Sequence, residues 1–110
     1  MIEISCAKFL NDFIRERHIN SVISMESLNK CCDRLWEELW ISPDFSKEAI
    51  STLINRNPGH IIWEHGFITV DEAFKKKIAE QAECEDLPTN MEEHYLSVIR
   101  NTDMEIKREK

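Results

Sequence analysis

Glycine and proline are scarce in this sequence. The 110 residues include only two glycines and three prolines. Sheet-rich domains need many tight turns and use glycine in them, so this scarcity argues against an all-β fold. It favours a mainly helical domain, and the length suits one continuous hydrophobic core.

The sequence also predicts neither a leader peptide nor a membrane segment. Residues 1–5 lack the basic start and apolar run of a signal peptide. No uncharged apolar run approaches the roughly 20 residues that are needed to cross a bilayer. We therefore expect a cytoplasmic protein without membrane contact.

Paired cysteine spacing is also absent. The four cysteines follow no disulfide or metal-binding pattern, and adjacent Cys31 and Cys32 suit a disulfide framework badly. We expect free thiols, in agreement with a reducing compartment. Cys84 lies between two glutamates near a predicted helix end, where its thiolate is disfavoured, so it is a poor candidate nucleophile.

Lysine and arginine are absent from the twenty-two residues 78–99. This stretch carries a charge of −6, nearly all of the net charge of −7. Its acidic residues are Glu80, Glu83, Glu85, Asp86, Glu92 and Glu93. Such a concentration of negative charge in one segment points to a basic partner.

The spacing of apolar residues predicts a compact single-domain bundle of about five helices over residues 1–100, followed by a polar, frayed tail over 101–110. The helices are expected near 6–18, 24–40, 45–56, 69–82 and 89–100. Ser24, Thr69 and Thr89 are the predicted starts of three of them. The second helix has a wide apolar stripe that includes Trp36 and Trp40, so we expect it at the centre of the core.

Residues 60–70 fit two structures. The runs 60–63 and 67–70 are β-prone and are separated by a turn segment that contains Gly66, which predicts a small hairpin. Alternatively the first run is a short helix that Gly66 terminates. Because an isolated hairpin is marginally stable, the helix is slightly preferred.

No catalytic or metal-binding motif is recognisable. His60 and His65 are five residues apart, a spacing that directs both to one ion on neither a strand nor a helix. Glu64, beside His65 and Trp63, is the one carboxylate in a pocket-like context, but such a segment more often anchors a loop. There is no phosphate loop, nucleophile elbow or dinucleotide fingerprint. We expect a non-enzymatic protein without cofactor or metal.

Nucleic-acid binding is disfavoured too. The basic run of residues 75–77 sweeps about 200° around a helix and forms no single basic face. The net charge of −7 repels phosphates. Direct contact with nucleic acid is therefore not expected.

The acidic segment has a plain explanation, namely a solvated helix end and loop. Two details favour a recognition surface. Glu80, Glu83 and Glu85 fall near the end of a predicted helix, where the helix dipole disfavours negative charge by about 0.3–1 kcal/mol each. Tyr95 and Trp63 are aromatic residues that would serve as anchors beside the acids.

These observations predict an acidic binding protein that acts as an inhibitor. The leading hypothesis is an immunity protein or antitoxin that neutralises a basic, nuclease-type toxin by covering its substrate-binding surface. One alternative is an inhibitor encoded by a phage or mobile element that mimics nucleic acid, although the charge density falls short of that of duplex DNA. Another is an adaptor or assembly subunit that uses an apolar face, which would leave two tryptophans exposed.

Overall fold

The structure, a computed structural model, describes residues 1–109 and the side chains of residues 1–102. This part of the chain forms five helices and five short strands. The mainly helical prediction is confirmed, whereas the simple bundle is confirmed only in part because two small sheets accompany the helices. In chain order the elements are β1 Ile2–Ile4, α1 Cys6–Glu16, β2 Val22–Ser24, α2 Met25–Leu39, β3 Ile41–Pro43, α3 Lys47–Arg56, β4 Ile61–Glu64, β5 Phe67–Val70, α4 Glu72–Ala82 and α5 Thr89–Glu109.

Side-chain caps determine where the first four helices begin. In each case an oxygen of the preceding residue accepts a hydrogen bond from the backbone N–H three residues later. Such a bond satisfies one of the N–H groups that the first helical turn leaves without a partner. The capping residues are Ser5, Ser24, Ser46 and Asp71.

The structure corrects one predicted helix start. Asp71 caps α4, and its carboxylate accepts from the N–H of Phe74 at 2.9 Å. The predicted cap, Thr69, is instead the third residue of β5. Strand pairing holds Thr69 opposite Val22 and Ile62, so the helix begins only after the ladder ends.

Residues 60–70 contain a β-hairpin, and the preferred helical alternative is wrong. β4 and β5 pair antiparallel, and β2 adds a third strand to give the order β2-β5-β4. His65 and Gly66 form the two-residue loop, with φ of 53° and 79°. Positive φ at both positions is what a type I′ turn requires, and this turn matches the natural twist of the strands. Packing of the buried sheet residue Ile68 into the core stabilises a hairpin that would be marginal alone.

A second sheet of two parallel strands lies at the other end of the molecule. β1 pairs with β3 in the register Ile2 to Ile41 and Ile4 to Pro43. The sequence pattern did not predict it, because strands of three residues are too short to show an alternation. Ile4 and Ile41 are buried, so the sheet closes that end of the core.

Contacts between helices define which elements share an end. Glu85, just after α4, contacts Ser5 at the start of α1. His94 in the first turns of α5 contacts Glu38 at the end of α2, with 3.2 Å between Nε2 and Oε1. The N–H of Ile2 in β1 donates to the carbonyl of Trp40, directly after α2. The ends of α2 and α4, the starts of α1 and α5, and the β1–β3 sheet therefore lie at one end.

The core is formed mainly by the apolar face of α1, which packs against α4 and α5. Phe9, Phe13, Phe74 and Tyr95 are its largest fully buried side chains. The prediction that α2 carries Trp36 and Trp40 into the core is wrong, because both side chains are exposed. The buried face of α2 is therefore narrower than the apolar stripe in its sequence.

The polar tail predicted over 101–110 lies mostly on residues whose side chains are outside the described part, and it stays a prediction. The helix α5 extends to Glu109. No described helix combines the length and the apolar character that a membrane span needs.

Candidate functional site

Five exposed carboxylates lie where α4 ends and α5 begins. One lies in the last turn of α4, one directly after it, one in the connecting loop and two in the first turns of α5. Within the described part of the chain, none of them makes an ion pair with a lysine, arginine or histidine. We call this group the acidic surface; it consists of Glu80, Glu83, Asp86, Glu92 and Glu93.

Glu85 does not belong to the acidic surface, which corrects its predicted role. Its side chain is half-buried, and its Oε1 accepts from the backbone N–H of Ser5 at 3.0 Å. The Ser5 hydroxyl donates to its other oxygen and also accepts from the N–H of Lys8 at 3.1 Å. A carboxylate at the start of α1 is favoured by the helix dipole, so Glu85 has a structural function.

Tyr95 is wrong as a surface anchor because it is fully buried. Its hydroxyl donates to Oδ2 of Asp12 at 2.7 Å, and the same oxygen lies 3.1 Å from Nζ of Lys8. Burial, followed by the nearby charge of Asp12, raises the pKa of Tyr95 well above its ordinary value. This network holds α5 against α1.

Trp63 is also wrong as an anchor beside the acids. It lies on β4 opposite Ile68, in the three-stranded sheet from which α4 begins. The acidic surface lies at the far end of α4, and eleven helical residues span about 16 Å. The Trp63 side chain is 41% exposed, but it lies at the opposite end of the molecule from the acidic surface.

The fold brings two further carboxylates to the end of the molecule that carries the acidic surface, and no sequence pattern predicts either of them. Glu3 on β1 and Asp44 after β3 line an open groove of about 550 Å³ together with Ser5. The N–H of Asp44 donates to the carbonyl of Ile4, so strand pairing determines this approach. Because Ser5 also contacts Glu85, the groove opens beside the loop of the acidic surface.

An exposed aromatic pair lies at the same end, at the end of α2. The rings of Trp36 and Trp40 are stacked, with centroids 6.1 Å apart and planes inclined by 25°. Their side chains are 47% and 65% exposed. We call them the tryptophan pair; their four-residue spacing is the one signal in the sequence, and it equally fits a buried stripe.

Trp40 has an unusual backbone conformation as well. It is the residue that ends α2, with φ of 56° and ψ of 34° in the left-handed region. Glycine, or less often asparagine, is usual at such a helix end because a Cβ atom crowds the backbone there. A large side chain at this position therefore has a conformational cost, and burial offsets little of it because Trp40 is mostly exposed.

The thiols offer little nucleophilic chemistry. Cys6 and Cys31 are buried, and burial raises the pKa of Cys31 to about 11. Desolvation likewise raises the pKa of Cys6 to about 12. The thiolate form that reacts is thus scarce at neutral pH in these two residues.

No group of three or more histidine, cysteine, aspartate or glutamate side chains is arranged to hold a metal in the described part of the chain. His60 contacts Asp71 across the start of α4. The hydrogen bond from His60, followed by that from the Phe74 N–H, holds the pKa of Asp71 below its usual value.

The candidate site thus consists of exposed carboxylates and an exposed aromatic pair at one end of the molecule. No protein-family model matches the chain, and neither a curated protein nor a solved structure is significantly similar to it.

Proposed function

We propose that this chain is a non-enzymatic inhibitor that binds a basic protein through the acidic surface, and that it acts as an immunity protein or antitoxin against a nuclease-type toxin. The observation that carries the proposal is the exposure of five carboxylates that make no ion pair with a cation of their own chain in the described part. Their charge is available to a partner and does not require an internal ion pair to break first.

Charge of this kind acts mainly on the rate of association. Complementary potentials steer the encounter and raise the association rate constant to about 10⁸–10⁹ M⁻¹s⁻¹ at low salt. Such speed suits a partner that damages the cell within seconds. A nuclease must bind phosphates through basic residues, and carboxylates on its substrate surface would occupy the same residues.

The acidic surface has two halves with different local energetics, which supports a role beyond solubility. Glu92 and Glu93 lie at the start of α5, where the dipole favours negative charge. Glu83 ends α4, where negative charge is disfavoured. Local stability explains the first half and leaves the second half to be explained by a partner.

Co-expression with the product of the neighbouring reading frame tests the proposal. If that product is a basic toxin, the wild-type chain should restore growth and should bind the toxin with an affinity that falls as salt rises. The variant E83K/D86K should bind more slowly and show a weaker dependence on salt, because each reversal removes attraction and adds repulsion.

The matched control is E26K/E64K, which changes the net charge by the same amount at exposed positions at the opposite end of the molecule, at the start of α2 and on β4. It should retain most of the association rate. Equal losses in the two variants would show that only net charge matters. An unchanged rate in E83K/D86K would refute the acidic surface as the binding site.

A second candidate function, an adaptor or assembly subunit, is favoured by a different observation. The outer face of the β2-β5-β4 sheet carries Val22, Ile62 and Phe67, which are large, apolar and exposed. Strand register puts Val22 and Ile62 on the same face, opposite Thr69. If the chain is an adaptor, the variant I62K/F67E should lose its partner, whereas binding through the acidic surface should survive this change; a partner that I62K/F67E binds as tightly as the wild type does would refute the adaptor function.

A further inference from the structure

The tryptophan pair lies beside a row of carboxylates on α2. Trp36 and Trp40 are four residues apart and form one row along the helix surface. Asp33 and Glu37 are also four apart, and each precedes a tryptophan by three residues, so they form the adjacent row. All four side chains are exposed, and no lysine or arginine lies in either row.

Asp33 and Glu37 make no ion pair with another described residue. The nearest cations on α2 have other partners. Lys30 lies 3.4 Å from Glu26, and Arg34 lies 2.6 Å from Glu38. The aromatic row is therefore flanked by negative charge that its own helix does not neutralise.

We propose that the tryptophan pair is the anchor site for an arginine side chain of a basic protein partner. The guanidinium would stack on the exposed indole and donate hydrogen bonds to Asp33 or Glu37. This inference rests on the proposed function, since it names the partner's contacting group, but it uses different residues from the acidic surface.

Arginine fits these rows better than lysine. A guanidinium is planar, so it stacks on an indole and still donates to a carboxylate at the edge of the ring. A lysine ammonium is a compact, strongly hydrated charge without a planar face, so it contacts either the indole or the carboxylate but does not stack on the ring. Aromatic residues at the centre of a charged region are typical of the few positions that contribute most to binding.

The conformation of Trp40 supports a functional reason for the pair. Backbone strain in the left-handed region and exposure of a large apolar surface both oppose stability at this residue. The contact between Glu38 and His94 joins this end of α2 to the start of α5, which carries Glu92 and Glu93. One partner is thus able to contact both the pair and the acidic surface.

The test compares an oligoarginine with an oligolysine peptide of equal length. The titration follows tryptophan emission in the variant W63F, which leaves the tryptophan pair as the only fluorophore of its kind. At about 0.15 M salt, where long-range attraction is largely screened, the oligoarginine should bind about two- to fivefold more tightly. Its binding should also change the emission.

Three further variants decide the assignment. W36A/W40A, followed by calorimetry, should lose the preference for arginine, whereas the control I62A/F67A, which removes exposed apolar side chains at the other end, should retain it. Because the pair is exposed, its removal should leave the helical circular dichroism signal unchanged. D33N/E37Q should weaken the preference with both rings present.

Equal affinity for the two peptides in W63F would overturn the proposal, and so would a preference that survives in W36A/W40A. The proposed function fails separately. If E83K/D86K binds both peptides as tightly as the wild type does, the acidic surface is not the binding site. A preference for arginine that persists in that variant would still support the anchor.

Discussion

The carboxylate of Glu85 accepts hydrogen bonds from the backbone N–H and the hydroxyl of Ser5, eighty residues earlier in the chain. Ser5 caps α1, so the contact joins the loop after α4 to the first turn of the helix at the centre of the core. One residue of the acidic segment is thereby used for folding. The remaining acids are left on the surface, and these two roles predict different effects of mutation.

Replacement of Glu85 by alanine should destabilise the fold by about 1–2 kcal/mol, because a charge-assisted hydrogen bond at a helix start is lost. Urea unfolding followed by circular dichroism measures this loss. The control is E83A, at an exposed position without such a bond, which should change the free energy of unfolding by less than about 0.5 kcal/mol. Equal stability of the two variants would show that the Ser5 contact contributes nothing.

Two charge reversals in the acidic surface should have opposite effects on stability. E83K adds a cation at the end of α4 and should stabilise by about 0.3–1 kcal/mol, whereas E92K removes an anion from the start of α5 and should destabilise by a similar amount. Both variants change the net charge equally, so the difference between them isolates the helix dipole. Melting temperatures at low salt measure it, and shifts of the same sign would contradict the assignment.

The buried contact between Tyr95 and Asp12 should be strongly coupled. Y95F removes a donor from a carboxylate and should cost about 1.5–3 kcal/mol. A double-mutant cycle with D12A, which removes the acceptor, measures the coupling free energy, since the double variant should lose less than the sum of the single losses. Additive losses would mean that the hydroxyl and the carboxylate act independently.

The sequence predicted an element correctly where that element is long enough for its apolar residues to repeat at a regular spacing. Repeats of apolar residues at three and four predicted α1 and α3 within a few residues, and Ser24 was correctly identified as the cap of α2. β1 and β3 have three residues each, so their pairing depends on contacts that no local pattern shows. The same holds for Ser5 and Glu85, which are far apart in the chain.

The errors at the candidate site have a common physical cause. An apolar stripe tells which side of a helix is able to face the core, but not how wide an arc its neighbours cover. On α2 the covered arc includes Leu28, Cys31 and Leu35 and stops before Trp36. On α5 the reverse happened, because Tyr95, which was predicted as an aromatic anchor beside the acids, is fully buried and its hydroxyl donates internally to Asp12.

The buried thiols predict how stability depends on pH. Burial raises the pKa of Cys31 from 9.0 to about 11, while its hydrogen bond with Thr102 and the charge of Arg17 oppose the shift. The folded state therefore holds its proton more tightly than the unfolded state does. The stabilisation is complete below pH 9 and is lost as the pH rises through 11, by roughly 1 kcal/mol per pH unit.

C31A should therefore flatten the decline of stability between pH 9 and 11, even though it lowers stability at neutral pH by leaving a cavity. Some decline should remain, because burial also raises the pKa of Cys6, to about 12. The control is C84A, which removes an exposed thiol. Denaturant unfolding at a series of pH values gives the slopes, and a slope in C31A as steep as that in C84A would contradict the assignment, since the proton in question would then belong to another group.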